Sequence, residues 1–279
     1  MQIIETLNEG KNKLIKSNIQ DASLLSKMLM KYILKKDEIF LITNGEDELD
    51  EKKKYDFFCC IEKLIKGMPV QYITNEQEFM KLKFYVDENV LIPQPDTEIL
   101  VEEIINEYKN NNVKILDLCT GSGAIGISLA KYIENSMVTA TDISSKAIQI
   151  AKLNAEKNLV HKKMEFILSD MFENINNKFD VITSNPPYIK TEVIKTLDKQ
   201  VQSEPILALD GGIYGLDFYK IIAKNAYKFL NDNGKLFLEI GYDQKNDVIQ
   251  ILKNTLEYKN ITCIKDLEQN NRVVIASKK

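Results

Sequence analysis

The stretch Val113-Lys-Ile-Leu-Asp117-Leu-Cys119-Thr-Gly121-Ser-Gly123-Ala-Ile-Gly126 decides the fold. An apolar run of strand length ends in a glycine-rich loop, and a helix opens directly behind it. Gly121 and Gly123 let the backbone turn sharply and approach a ligand where a side chain would clash. Around this motif, short apolar strands alternate with helices. The strands read as 113–118, 137–142, 163–168, 179–184, 235–239, 260–264 and 273–276, and the helices as 124–134, 144–157, 217–230 and 245–256. That alternation predicts βαβ units, right-handed crossovers and a largely parallel sheet. Only the polar turn 266–271 separates the last two strands, so they are predicted to pair antiparallel at the sheet edge. The expected fold is α/β, a seven-stranded Rossmann-like sheet with its last strand antiparallel.

Upstream of the sheet the pattern changes. Residues 1–68 read as a small helical bundle, with apolar residues at three- and four-residue spacing in Ile3, Ile4, Leu7 and in Leu24, Leu25, Met28, Leu29. Asp21 is placed to cap the second helix, a short third helix falls at 37–42, and Gly67 with Pro69 stops a fourth. Residues 69–92 carry β-branched and aromatic clusters, among them Gln71-Tyr-Ile and Leu82-Lys-Phe-Tyr-Val, and read as a linking β-hairpin. Domain boundaries are therefore expected at 1–68, 69–92 and 93–279. The last domain starts on a helix whose first turn takes Pro95, Asp96 and Glu98.

Composition removes several classes of function. The net charge is −4, which disfavours a polyanionic substrate, because phosphate neutralisation needs a basic face. No apolar run approaches the ~20 residues of a membrane span, and no signal peptide is readable at the start. Cys59, Cys60, Cys119 and Cys263 form no CxxC pair, so no metal site is expected and the thiols read as reduced and cytoplasmic. The single histidine, His161, lies in a lysine-rich turn, which excludes histidine triads and HExxH zinc sites.

The glycine loop alone also fits GxGxxG and is shared by dinucleotide enzymes. An ordinary βα turn with glycines for packing is the plainer reading. Three features favour S-adenosylmethionine as the ligand. Asp117 precedes the glycines, where an acid would repel a pyrophosphate but serves a methionine ammonium, directly or through water. Asp142 ends the next strand, where a carboxylate accepts both ribose hydroxyls. Ser169-Asp170-Met171-Phe172 follows the third strand, where an acid meets the adenine amine and an apolar side chain covers the ring. Asp170 also reads as a solvated loop acid.

The fourth strand ends in Asn185-Pro186-Pro187-Tyr188. Two prolines fix the backbone and remove two donors, leaving carbonyl acceptors and the Asn185 amide. An amide nitrogen is a poor nucleophile, because its lone pair is delocalised. If Asn185 Oδ1 and the Pro186 carbonyl accept both of its hydrogens, electron density on nitrogen rises and the lone pair is held in line with a methyl donor. Tyr188 offers a flat ring to the planar group. The alternative is a stiff Pro-Pro turn in which Asn185 caps the next helix.

With these residues in view, the chain resembles the release-factor glutamine methyltransferases, which methylate the glutamine of the Gly-Gly-Gln motif in class-1 peptide chain release factors. The likeness runs through Gly67-Met-Pro-Val-Gln-Tyr72-Ile, Glu78-Phe79, Val90-Leu-Ile-Pro-Gln-Pro-Asp-Thr-Glu98, the glycine loop and Asn185–Tyr188. It continues through Glu204-Pro205, Asp210-Gly-Gly with Gly215-Leu, Glu239-Ile-Gly241, Asp266-Leu and Arg272. The resemblance implies a class I methyltransferase domain behind a helical domain and a hairpin. It implies S-adenosylmethionine as cofactor and S-adenosylhomocysteine as product, held by Asp117, Cys119, Thr120, Gly121, Ser122, Gly123, Asp142, Ile143, Asp170, Met171 and Asn185. It also implies that Asn185, Pro186, Pro187 and Tyr188 hold the glutamine.

Three positions depart from the pattern. Gln94 stands where the family has an arginine, Met171 where tryptophan is frequent, and Cys119 where glycine is frequent. The expected partner is a class-1 release factor, with no direct nucleic-acid binding, no membrane association and a monomeric, cytoplasmic state. A large-subunit ribosomal protein or an adenine N6 or guanine N2 amino group is the alternative acceptor. The helical domain is the expected partner-recognition element.

Overall fold

The computed structural model describes all residues, 1–279, and divides into two compact units. One comprises Met1–Asn75 with Asp198–Ser203, and the other Glu76–Leu197 with Glu204–Lys279.

The first unit is helical, with helices Ile3–Lys16, Ala22–Leu34, Glu38–Thr43, Glu51–Ile65 and Val70–Thr74. Leu14, Leu29, Met30, Phe57, Ile61 and Leu64 form its fully buried centre, each stabilising by roughly 1.5–3 kcal/mol. Gly10 lets two helices approach, since a Cβ there would lie 2.6 Å from the Phe57 ring. Asp37 and Asp50 cap their helices by accepting Phe40 N–H and the Lys52 and Lys53 N–H groups. Asp21 holds the N-cap position but does not cap. Its backbone is left-handed, φ 51°, and its side chain bonds no helical N–H.

Gln71-Tyr-Ile, read as strand, is helical. Pro69 pre-sets the entry φ at −56°, Val70 and Ile73 share the buried face at helical spacing, and Thr74 Oγ1 donates back to Val70 O at 3.0 Å. Strand pairing in this region is confined to β1, Gln77–Phe79, and β2, Leu82–Phe84. They join through Met80 and Lys81, both with positive φ as a two-residue type I′ turn requires.

The second unit is built on β3 (Val113–Leu118), β4 (Ser136–Asp142), β5 (Met164–Leu168), β6 (Phe179–Ser184), β7 (Leu230–Glu239), β8 (Tyr258–Lys265) and β9 (Asn271–Lys278). Their order is β5-β4-β3-β6-β7-β9-β8. β9 inserts between β7 and β8 and runs antiparallel to both, while the other contacts are parallel. Helices Ala124–Tyr132, Ser145–Lys157, Asp217–Phe229 and Lys245–Asn254 cover the faces. Both faces are thus buried, and in β3 and β6 only Lys114 and Asp180 are not fully buried.

The chain leaves β3 in one direction, through β4 to β5, and returns on its other side as β6. Such a switch point opens a crevice at the carboxyl ends of the strands. The glycine loop follows β3 and Asn185–Tyr188 follows β6, so the topology brings the two motifs together. No helix is long and apolar enough to cross a membrane.

Candidate active site

A cavity of about 470 Å³ opens at this switch point, within the range of small-ligand sites. Of the residues singled out from the sequence, Cys119, Gly121, Asp142, Ile143, Asp170, Met171, Asn185 and Pro187 line it. Asp117, Thr120, Ser122, Gly123, Pro186 and Tyr188 do not reach its wall; they sit behind it and hold its shape.

The glycine loop is anchored by carboxylates at both ends. Asp117 is fully buried, and its Oδ2 accepts Thr120 Oγ1–H at 2.6 Å and Gly126 N–H at 3.0 Å. Its Oδ1 is buried without a hydrogen-bond partner, and burial pushes the carboxyl up to about 7. Asp142 accepts Gly121 N–H on Oδ2 and Ser144 N–H on Oδ1, both at 2.9 Å. Each oxygen keeps a further lone pair.

Gly121 has φ +55°, and a Cβ added there would meet no protein atom within 4 Å. It would project into open space beside the cavity wall. Cys119 carries the same left-handed backbone, φ 58°, which explains physically why glycine suits this position. Its thiol is pushed up to about 12 by burial and lies 3.9 Å from Met171 Sδ.

Two connections fix the opposite wall, residues 88–91. Fully buried Asn154 accepts Tyr85 N–H at 2.7 Å and donates to Tyr85 O and Ser122 O, tying this wall to the glycine loop. Buried Glu204 accepts Ile92 N–H at 2.9 Å and joins it to the Pro205–Ala208 rim. Burial pushes the Glu204 carboxyl up to about 7.

Asn185 is held through its amide nitrogen, which donates to Thr97 Oγ1 at 3.2 Å. Its Oδ1 and the Pro186 carbonyl take part in none of the loop's hydrogen bonds, whereas Tyr188 O accepts Gln244 Nε2–H at 2.9 Å and Ile189 O accepts Gly211 N–H. Glycine is required beside this loop: a Cβ on Gly215 would lie 2.3 Å from Tyr188 O, and one on Gly211 2.7 Å from Tyr188 Cα. Tyr188 itself turns from the cavity toward Arg272, and burial keeps its hydroxyl protonated. Arg272 pairs with Asp96 at 2.8 Å and Asp266 at 3.0 Å.

Comparison with known proteins follows the same division. The PrmC N-terminal domain model matches residues 5–74, and the Methyltransferase small domain model residues 94–208. The chain is 42% identical to the release factor glutamine methyltransferase of Clostridium acetobutylicum, covering 99% of this chain and 98% of that one. The chain belongs to the release factor glutamine methyltransferase family. A counterpart in Clostridium botulinum is 41% identical over the whole of both chains. Among solved structures, a methyltransferase from Pyrococcus furiosus superposes with a TM-score of 0.55, covering 82% of this chain and 99% of that one. At 20% identity it shares the fold. The protein is thus a methyltransferase of this family, and Gln94 takes no charged contact: its Nε2 donates to Ile92 O at 3.0 Å.

Several supporting residues escape a reading of the sequence. Asn154 has a signal, since it falls on the buried face of its helix with Ala147 and Ala151. Thr97 and Gln244 have none, because their roles exist only once distant segments meet.

Proposed function

We propose that this methyltransferase transfers the methyl group of S-adenosylmethionine to the side-chain amide nitrogen of the glutamine in the Gly-Gly-Gln motif of a class-1 release factor. The observation that carries the reading is the polarity of Asn185. One of its two N–H groups is held by Thr97 Oγ1, which turns the amide so that Oδ1 is left as an acceptor, with the Pro186 carbonyl as the second. A primary amide has two N–H hydrogens to give, and a pair of acceptors satisfies them. These acceptors gain strength as positive charge grows on nitrogen, so they favour the transition state over the ground state. No base is required to activate the amide, and the proton that the methylated nitrogen sheds after transfer passes to water, in keeping with a cavity wall without histidine.

The residues present fit the cofactor. Gly121 leaves room a side chain would fill, and the spare lone pairs of Asp142 suit ribose hydroxyls. Asp170 suits the adenine amine, Ile143 and Met171 suit the ring, and the orphaned Asp117 Oδ1 suits an ammonium through water. When bound, the cofactor supplies an electrophilic methyl on sulfonium. The helical unit selects the partner, and the enzyme acts as a monomer in the cytoplasm without direct contact to nucleic acid.

The test is tandem mass spectrometry of a release factor incubated with the enzyme and cofactor. The reading expects a gain of one methylene on the Gly-Gly-Gln glutamine. An unmodified glutamine after full incubation refutes it.

A further inference from the structure

The far end of the Asn185–Tyr188 loop is held by Gln244, a buried glutamine directly ahead of helix Lys245–Asn254. Its Nε2 donates to Tyr188 O at 2.9 Å and to Gly215 O at 3.0 Å. Its Oε1 accepts Gly241 N–H at 3.0 Å and faces the Tyr219 hydroxyl at 3.4 Å. The amide thus spends both of its hydrogens and its oxygen on segments that meet only in the fold. Backbone is packed directly against it. A Cβ on Gly215 would lie 2.8 Å from its Nε2, and one on Gly241 2.8 Å from its Oε1. Gln244 itself forms no part of the cavity wall.

We propose that Gln244 is a positioning residue for methyl transfer, which holds the Pro186 carbonyl in its accepting direction by pinning the carbonyl of Tyr188. This deepens the glutamine reading above and rests on it. The loop starts from a fixed point, since β6 ends in register with β7 and the Asn185 side chain is bonded to Thr97 Oγ1. The two prolines then lock φ but leave ψ free, and rotation about ψ of Pro186 swings its carbonyl. What stops that rotation is the far end of the loop. There the peptide plane between Tyr188 and Ile189 is held on both edges: Tyr188 O accepts from Gln244, and Ile189 N–H donates to Leu209 O at 2.9 Å. One hydrogen bond lets a peptide plane rock about it, whereas two on opposite edges fix its tilt. Gln244 also ties this plane to Gly215, in the segment that carries Gly211, whose N–H donates to Ile189 O at 2.8 Å.

No other side chain reproduces this polarity. Two carbonyl oxygens need donors and a backbone N–H needs an acceptor, all within reach of one planar group. An ionised glutamate turns lone pairs on both carbonyls, and a methionine of similar length satisfies none of the three.

The test uses full-length enzyme and intact release factor, with kcat counted per cofactor-binding site so that misfolded protein does not enter. Gln244→Met should lower kcat at least tenfold with cofactor Kd within about threefold of wild type. Gln244→Glu carries its own rescue. When protonated, its O–H and C=O restore the bonds to Tyr188 O and Gly241 N–H, and burial raises the pKa of such a carboxyl. The ratio of its kcat to that of wild type should therefore rise severalfold as pH falls from about 8.5 to about 6. The titratable groups nearby are Tyr219 from helix Asp217–Phe229, Tyr188 and Glu239 at the strand ends, and Asp243 and Lys245 beside it in the chain. They are common to both enzymes, so the ratio cancels them. A Gln244→Met enzyme with wild-type kcat, or a Gln244→Glu ratio that does not change with pH, would overturn the proposal.

A second readout needs no substrate. Pro186-Pro187 is the single Pro-Pro step of the chain, so isotope labelling of proline carbonyl carbon and nitrogen isolates the Pro186 carbonyl in NMR. Its signal should move in Gln244→Met and, in Gln244→Glu, return toward the wild-type position as pH falls. An unmoved signal in Gln244→Met would overturn the proposal as well. Absence of any wild-type turnover on the release factor would instead refute the glutamine reading, and the Pro186 signal would still decide the clamp.

Discussion

Asp142→Asn offers a quantitative test of the cofactor site. In the native loop the two carboxylate oxygens accept two backbone N–H groups, from Gly121 and Ser144, each at 2.9 Å. An asparagine of the same shape has one oxygen, so its amide nitrogen must face one of those N–H groups. The loop loses one charge-assisted bond and leaves a donor unsatisfied, a cost of about 1–3 kcal/mol in stability. On the ligand side the same replacement turns one of two acceptors for the ribose hydroxyls into a donor. Losing one hydrogen bond to a charged group, about 1.5–3 kcal/mol, weakens binding roughly 10- to 150-fold. Isothermal titration of S-adenosylmethionine and S-adenosylhomocysteine measures this directly, and both should weaken equally because both carry the ribose. A variant that stays folded and binds with wild-type affinity would refute the assignment of Asp142. Loss confined to one of the two ligands would refute the argument from the hydroxyls.

Asn185→Ala removes the fixed acceptor and should lower kcat about 10²- to 10³-fold with little change in cofactor affinity, by steady-state kinetics and titration. Buried Glu204 titrates near 7 against an ordinary 4.5, so between those values the folded state holds a proton that the unfolded state has lost. Its contribution to stability is therefore greatest at low pH and falls as pH rises through 7. Glu204→Gln keeps the acceptor for Ile92 N–H and removes the charge. It should match wild type near pH 4 and exceed it at pH 8 by up to about 3 kcal/mol in denaturant melts. Gly10→Val drives a branched side chain into the Phe57 ring and should cost about 1–3 kcal/mol, read as a lower melting temperature of the helical unit.

The strands that build the site are legible in the sequence for a physical reason. β3 and β6 lie between two helical layers, so each carries a short apolar core, Ile115–Leu116 and Val181–Ile182, ahead of the loops that carry Gly121 and Asn185. The first half of β7 is not legible. Asn231-Asp-Asn-Gly234 looks like a turn, yet Asn231 Nδ2 donates to Asp180 at 2.7 Å and the ladder continues through a shifted register. Gln71-Tyr-Ile misleads in the other direction, because β-branched and aromatic residues favour strands until Pro69 and a buried face outweigh local propensity. In the site, the motif residues at the wall are legible because the chemistry demands their types. Asn154, Glu204 and Thr97 act through partners far away in the chain, which spacing alone does not reveal. Asp117 and Tyr188 are legible as site residues, but their distance from the cavity wall is set by packing. Asp117 locks the loop through Thr120 and Gly126, and Tyr188 is drawn toward Arg272.

The central claim, an amide acceptor presented by a protein, is tested most directly by methyl-labelled S-adenosylmethionine offered separately with release factor, large-subunit ribosomal protein and duplex DNA. The account predicts label on the release factor alone, lost when the glutamine of Gly-Gly-Gln is replaced. Label on the DNA, with the release factor unmodified, would contradict it.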